Sequence, residues 1–167
     1  AVRLGAEVIF AAAPTATVWV SDPTWPVHIP LMGSVGLQFK SYRYYSAAIR
    51  GLDFTAMLED LEAASPGDIV LLHGCCHNPS GVDPNAEQWQ ALATFMAERA
   101  LVPMVDFAYQ GMGAGLSEDA AGLRCLIDHV PEMIIAVSSS KNIGLYRERA
   151  GAVMFLGGDA RAAEAMA

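Results

Sequence analysis

The stretch from Ile69 to Asp106 decides the fold of this chain. It opens with the apolar run Ile69-Val-Leu-Leu72, which is typical of a buried strand, and ends with a second such run, Val102-Pro-Met-Val105. Between the two runs, apolar residues recur at helical spacing over 89–96. A strand, a helix and a strand in this order are the repeating unit of a parallel sheet. The stretch therefore predicts β–α–β connectivity.

The same alternation continues on both sides of this stretch. Helical spacing recurs over 54–61 and 123–130, and Pro131 marks the end of the second of these helices. Further strands are predicted at 17–20, 37–45, 133–137 and 152–156. The pattern indicates an α/β chain with a mostly parallel sheet covered on both faces, a three-layer α/β/α fold.

Two helix starts can be predicted from capping residues. Asp53 precedes the helix over 54–61 and is predicted to be its N-cap. Asp83-Pro84 precedes the helix over 89–96, and a capping aspartate followed by proline is typical of a first helical turn. We therefore expect Asp83 to cap that helix.

Composition excludes several classes of protein. The chain has 167 residues, 53% of them apolar, and its 10 Lys and Arg against 18 Asp and Glu give a net charge of −8. Such an acidic chain without a basic cluster is a poor ligand for nucleic acids or anionic membranes, so neither is an expected partner. No uninterrupted apolar segment of membrane-spanning length and no signal peptide are apparent. Three cysteines are an odd number and indicate a reducing, cytoplasmic compartment.

The functional site is expected where three predicted strands end in polar residues. These ends are 73–78, 106–109 and 138–141. In a parallel sheet the carboxyl ends of the strands meet at one edge, and ligands bind there. The three polar segments are therefore predicted to converge.

The first of these segments, His73-Gly-Cys-Cys-His77, could suggest a metal site. Alternation along a strand would place His73, Cys75 and His77 on one face and Cys76 on the other. Three ligands so close together do not match the usual tetrahedral spacing, and no second ligand pair follows. We expect packed thiols here and no metal.

The remaining polar residues fit one cofactor. Lys141 follows an apolar strand and three serines, where a desolvated amine can become nucleophilic. Asp106 ends a buried strand, where a carboxylate needs a positive partner. Arg149 with nearby serines suits a phosphate, and Trp25 in a proline-rich turn suits a flat ring. Pyridoxal 5′-phosphate (PLP) requires such a set, because its enzymes pair a reactive lysine with an acidic partner of the pyridine nitrogen.

Four segments together make the chain resemble class I PLP-dependent aminotransferases of the aspartate and aromatic amino acid branch. Ser21-Asp-Pro-Thr-Trp-Pro-Val-His28 resembles the tryptophan turn of the family, and His73-Gly-Cys-Cys-His-Asn-Pro-Ser-Gly81 its asparagine loop. Ser80 stands where the family usually has Thr. Asp106-Phe-Ala-Tyr-Gln-Gly111 and Ser138-Ser-Ser-Lys-Asn-Ile-Gly-Leu-Tyr-Arg-Glu-Arg149 complete the set.

The resemblance implies catalytic roles for two residues. Lys141 would hold PLP covalently and then move the proton at the substrate α-carbon. Asp106 would pair with the protonated pyridine nitrogen. His28 and His73 would support Asp106 from behind.

The resemblance also implies how the cofactor and substrate are held. Tyr109 and Asn78 would hydrogen-bond the 3-oxygen of the ring, and Ser138 and Arg149 would bind the phosphate. Trp25 would stack on the ring. Trp25 and Asn78 would also contact the substrate.

The resemblance implies a domain organisation and an activity. Residues 1–167 would be the central part of the PLP-binding large domain of a fold-type I enzyme, without its N-terminal segment and small C-terminal domain, and inactive alone. The full enzyme would be a cytoplasmic homodimer that moves an amino group between an L-amino acid, aspartate or aromatic, and a 2-oxo acid such as 2-oxoglutarate. Two alternatives stay open at this point: another PLP reaction on the same scaffold, such as a β-lyase, and a non-catalytic binding domain that keeps the fold.

Overall fold

The computed structural model describes residues 1–165 and has a six-stranded sheet as its centre. The strands of this sheet are β1 (Thr17–Asp22), β2 (Gln38–Arg43), β5 (Ile69–His73), β6 (Val102–Phe107), β7 (Met133–Ser138) and β8 (Gly151–Leu156). Their order is β2-β1-β5-β6-β7-β8, and β8 alone of the six runs antiparallel to its neighbour. A small hairpin, β3 (Tyr45–Ser46) with β4 (Gly51–Leu52), lies apart. The mostly parallel sheet confirms the predicted fold class.

Six helices accompany the strands in the described residues. They are α1 (Val2–Ala12), α2 (His28–Gly33), α3 (Phe54–Leu61), α4 (Ala86–Glu98), α5 (Ala121–Ile127) and α6 (Ala160–Ala165). No helix within residues 1–165 is both long enough and apolar enough to cross a membrane.

Side-chain alternation along the strands builds a separate core on each face of the sheet. On β5, Val70 and Leu72 pack with α3, α4 and α5, whereas Ile69 and Leu71 pack with α1 and α2. All five residues of β5 are buried, because this central strand is covered on both faces. The chain therefore has the three layers that the sequence predicts.

The predicted strands are present, with one difference in extent. The strand expected over 37–45 ends at Arg43, and Tyr45 starts the separate hairpin. Tyr44, between them, is buried and donates a hydrogen bond from its hydroxyl to the Val82 carbonyl at 2.7 Å. The strand ends there, and Tyr44 packs against the loop that contains Val82.

One predicted cap is confirmed and the other is wrong. Asp53 caps α3 by accepting a hydrogen bond from the Ala56 amide. Asn85, not Asp83, caps α4, where it forms a reciprocal capping box with Gln88. Asp83 instead accepts the backbone N–H groups of Cys76 and His77, at 2.6 and 2.8 Å. This aspartate therefore fixes the loop after β5.

Strand register brings the polar strand ends to one edge of the sheet. His73 of β5 lies opposite Asp106 of β6, and Asp106 lies opposite Ala136 of β7. Because β8 is antiparallel, its first residue, Gly151, pairs with Ser138 at the same edge. The segment just before β8, which carries Arg149, therefore reaches the same edge.

Candidate active site

A cavity of about 340 Å³ opens at this edge. Its lining contains all seven residues that the sequence analysis assigned to cofactor binding: Trp25, Asn78, Asp106, Tyr109, Ser138, Lys141 and Arg149. They come from the turn after β1, the loop after β5, the end of β6, the end of β7 with the loop that follows, and the segment before β8. A cavity at the carboxyl ends of parallel strands is the expected position for a ligand site in this type of fold.

Asp106 is supported from behind by a buried histidine. His28 Nε2 lies 3.0 Å from Asp106 Oδ2, and the ring of Trp25 packs edge-on against His28 at 5.2 Å. His28 occupies the first position of α2, directly after the tryptophan turn. The turn thus places the ring of Trp25 next to His28, the residue that holds the Asp106 carboxylate.

A hydrogen-bond chain extends from Asp106 to the asparagine loop through a residue that the sequence analysis missed. Thr24 Oγ1 lies 2.9 Å from His28 Nδ1 and 3.3 Å from His73 Nε2. The Asn78 amide donates to His73 Nδ1 at 3.1 Å. Thr24 therefore joins the two histidines that the sequence analysis treated separately.

The direction of every bond in this chain follows from its one backbone amide. Because Asn78 N–H can only donate, His73 Nδ1 accepts, and the neutral His73 ring donates from Nε2 to Thr24. The Thr24 hydroxyl then donates to His28 Nδ1, so a neutral His28 donates from Nε2 to Asp106. The Asp106 carboxylate then accepts from His28, and every donor along this chain of hydrogen bonds meets an acceptor.

The neutral state of His73 has a clear physical cause. Burial, with smaller contributions from His77 and His28, lowers the pKa of His73 to about 2. His73 therefore carries no proton on Nδ1 at neutral pH and can accept the Asn78 amide.

A third histidine, His77, supports the asparagine loop from the other side. Its Nε2 lies 2.9 Å from Ser21 Oγ and its Nδ1 lies 2.8 Å from Ser80 Oγ. Its ring stacks on Tyr44 at 4.0 Å and packs against His73 at 4.2 Å. Burial lowers the pKa of His77 to about 4, so it too is neutral at neutral pH.

The open side of the cavity carries an amide, a phenol and an amine. The Asn78 side-chain nitrogen donates to the Tyr109 hydroxyl at 3.4 Å, and Lys141 Nζ lies 5.3 Å from the centre of the Tyr109 ring. Lys141 is half-buried. The lysine amine and the amide–phenol pair therefore face the same space.

Arg149 and two serines form the cationic end of the cavity. Arg149 Nη1 lies 3.5 Å from Ser140 Oγ, and the Ser140 amide donates to Ser138 Oγ at 3.2 Å. Ser140 lines the cavity and is 2% exposed, yet the sequence analysis did not assign it a role. Of the three consecutive serines, only Ser138 was predicted to bind the phosphate, and the structure adds Ser140.

The loop after β5 departs from the expected strand alternation. Because β5 ends at His73, Cys75 and Cys76 do not lie on opposite strand faces. Cys76 has a φ of +49°, in the left-handed region. Cys75 packs into the core below α4 and α5, and Cys76 lies beside it.

The donor set fits the cofactor that the sequence analysis inferred. An anionic carboxylate held by a buried histidine suits a protonated ring nitrogen, and an arginine with serines suits a phosphate. The amide–phenol pair suits a ring oxygen, and Lys141 faces the space between these groups. A flat aromatic aldehyde phosphate therefore matches the chemistry of this cavity.

Comparison with known proteins agrees with this assignment at the level of the family. The sequence profile of the family described as "Aminotransferase class I and II" matches residues 1–167. The chain belongs to this family.

Characterised relatives are similar along almost the whole chain. An aromatic-amino-acid aminotransferase of Paracoccus denitrificans is 48% identical over 164 residues, which are 98% of this chain and 42% of that protein. An aspartate aminotransferase of Haemophilus influenzae is 51% identical over 152 residues, 91% of this chain and 38% of that protein. The chain thus spans about two-fifths of the length of these relatives.

A solved structure has the same fold and carries the cofactor. The aromatic-amino-acid aminotransferase of Burkholderia pseudomallei, covalently bound to pyridoxal phosphate, superposes with a TM-score of 0.94 at 38% identity. The match covers 98% of this chain and 41% of that one. The fold of this chain is therefore that of a PLP-binding aminotransferase domain.

Proposed function

We propose that this chain is the central part of the PLP-binding large domain of an aminotransferase. The enzyme moves an amino group between an L-amino acid, aspartate or aromatic, and a 2-oxo acid such as 2-oxoglutarate. One observation carries the proposal: seven residues from five segments line a single cavity in which Lys141 faces the Asn78–Tyr109 pair, while Asp106 is held by His28.

In this proposal Asp106 keeps the nitrogen of the cofactor ring protonated. When bound, PLP supplies an electron-accepting ring that stabilises the electron pair left when the substrate α-carbon loses its proton. The Asp106 carboxylate would accept the N–H of the ring nitrogen, and the hydrogen bond with His28 holds the carboxylate in its orientation. The buried His73 and His77 are neutral at neutral pH, so neither adds a positive charge near the carboxylate.

Lys141 performs both the covalent and the proton-transfer roles. Its amine would hold the aldehyde carbon of the cofactor, and the same amine would move the proton at the substrate α-carbon.

The remaining residues bind and orient. Arg149, Ser138 and Ser140 hold the phosphate, and Asn78 with Tyr109 holds the ring 3-oxygen. Trp25 covers one face of the ring, and Trp25 and Asn78 contact the substrate. Relatives named as aspartate and as aromatic-amino-acid aminotransferases support both substrate classes.

The functional enzyme is a homodimer of a longer chain, with a small domain and an N-terminal segment outside residues 1–167. Large exposed apolar side chains support a further interface, since Leu116 is 67% and Ile143 is 66% exposed. The three cysteines are free thiols, which supports a cytoplasmic location.

A substrate-resolved assay of the full-length protein tests the proposal. The protein is loaded with PLP, supplied with 2-oxoglutarate and either aspartate or phenylalanine, and followed by glutamate formation. We expect turnover with at least one of these amino donors. Release of pyruvate and ammonia from a β-substituted alanine without glutamate would favour the β-lyase alternative. The absence of both reactions in PLP-loaded protein would favour a binding domain.

A further inference from the structure

Two thiols and a carboxylate meet on the side of the asparagine loop away from the cavity. The Sγ atoms of Cys75 and Cys76 and a carboxylate oxygen of Asp119 all lie within 4.8 Å of one another. Neighbouring residues in a strand point in opposite directions, but the left-handed backbone at Cys76 turns both thiols toward the same side. None of these three residues lines the cofactor cavity.

Gly113 lies directly against two of these groups. A side-chain carbon at this position would lie 2.7 Å from Asp119 Oδ1 and 3.2 Å from Cys76 Sγ. Because the backbone of Gly113 is outside the left-handed region, conformation alone does not require glycine here. A side chain at this position would overlap both groups, so its absence lets Asp119 and Cys76 approach each other.

Asp119 brings negative charge to this cluster, and one of its acceptor positions holds only a long hydrogen bond. It accepts backbone N–H groups from Gly111, Gly113 and Ala114 at 2.7–3.0 Å, and a fourth from Gly115 at 3.4 Å. Since a carboxylate has about four acceptor positions, the long Gly115 bond is the one that a stronger partner would replace. Asp83, bonded to the Cys76 amide, adds a second negative charge nearby.

The nearby histidines are not part of this cluster. Both ring nitrogens of His73 and both of His77 already have hydrogen-bond partners. The set His73–Cys75–His77, for which the sequence predicts no metal, is therefore not the set that the tertiary structure assembles.

We propose that Cys75, Cys76 and Asp119 bind one thiophilic divalent cation, of the zinc and cadmium class, with a fourth position open to water. Two S–H protons leave to solvent and two metal–sulfur bonds form, with no change in oxidation state. Zinc–sulfur bonds of about 2.3 Å and zinc–oxygen bonds of about 2.1 Å need ligand atoms roughly 3.5–3.8 Å apart. Closing from within 4.8 Å requires shifts of about 1 Å, and the half-buried Cys76 leaves an entry path.

Cadmium binding to the full-length protein tests this site. The protein is stripped of metal and reduced with a phosphine, and Cd²⁺ is added while the sulfur-to-cadmium charge-transfer absorbance and the bound metal are measured. We expect one equivalent to bind with a charge-transfer band. Cys75→Ser and Cys76→Ser should each weaken binding by at least about tenfold and reduce the band. Cys125→Ser, which changes the third cysteine, is the matched control and should leave both unchanged.

A further variant separates loss of the site from loss of the fold. Gly113→Ala keeps both thiols, but its methyl group would displace the Asp119 carboxylate, so it should weaken binding as the cysteine variants do. Unfolding curves identify any variant that does not fold. Absence of uptake by the parent protein would overturn the proposal. A band that survives in both single cysteine variants, or that disappears in Cys125→Ser, would overturn it as well. None of these readouts depends on transamination.

Discussion

His28 Nε2 lies 3.0 Å from Asp106 Oδ2, and the side chain that makes this contact is completely buried. Asp106 itself keeps 14% of its side chain accessible, on the side of the cavity. One oxygen of the carboxylate is thus held from inside the protein while the group remains available to a ligand. A carboxylate held in this way can accept a ring N–H without reorienting.

Removing the Asp106 carboxylate should nearly abolish catalysis. We expect Asp106→Ala to lower kcat/KM by at least about two orders of magnitude, because each pKa unit lost at the ring nitrogen corresponds to about 1.4 kcal/mol. Asp106→Glu keeps the charge and should retain part of the activity. Steady-state kinetics of the two variants provides the measurement. Equal impairment of both would show that position matters more than charge.

Lys141→Ala should remove the visible absorbance of lysine-bound cofactor and nearly all transamination. Both the covalent attachment and the proton transfer depend on this amine. PLP can still bind through Arg149 and the serines, which equilibrium dialysis would detect. Turnover at the parental rate would contradict the assignment of Lys141.

Thr24 provides a test of the hydrogen-bond chain. Thr24→Val removes the hydroxyl and leaves a donor on His73 and an acceptor on His28 without partners, which should cost about 1–3 kcal/mol of folding free energy. Thr24→Ser keeps the hydroxyl and is the matched control. Urea unfolding gives the stability, and ¹⁵N shifts of the His28 ring report its tautomer. If Thr24→Val kept both the stability and the Nε2–H tautomer of His28, the chain of hydrogen bonds through Thr24 would have no energetic role.

The buried histidines predict how stability depends on pH. The folded state lowers the pKa of His77 to about 4 and that of His73 to about 2, whereas unfolded histidines titrate near 6.5. Below about pH 6.5 the unfolded chain therefore binds more protons, so stability present above this pH is lost as the pH falls toward 4. Unfolding curves from pH 7.5 to pH 4.5 measure the slope. His77→Gln should reduce it, and an unchanged slope would contradict the neutral assignment of His77.

The 167-residue chain on its own should not transaminate. The N-terminal segment, the small domain and the partner subunit proposed above would be missing, and exposed apolar residues such as Leu116 and Ile143 should promote association. Glutamate formation from aspartate and 2-oxoglutarate, with light scattering alongside, measures both effects. Robust turnover by the isolated chain would show that residues 1–167 form a complete site.

Much of the architecture could be predicted because strands and helices of a three-layer fold have different apolar periods. Buried runs such as Ile69–His73 have few alternatives to a central strand. Helix boundaries were harder to predict. Asp83 and Asn85 are both good capping residues and are two positions apart. Asn85 caps α4, because Asp83 already accepts hydrogen bonds from the Cys76 and His77 amides in the loop after β5.

The sequence by itself determined most of the residues that reach the cavity, because most of them end or follow a predicted strand and parallel strands end at one edge. Only the tertiary structure decided how these residues are supported. Thr24 joins His28 to His73, and Thr24 and His73 are 49 residues apart. Asp119 lies close to Cys76 beside Gly113. Such contacts depend on loop conformations and on distances of a few ångströms between segments far apart in the chain. Local periodicity carries no information about either, since it reports only which face of its own element a residue occupies.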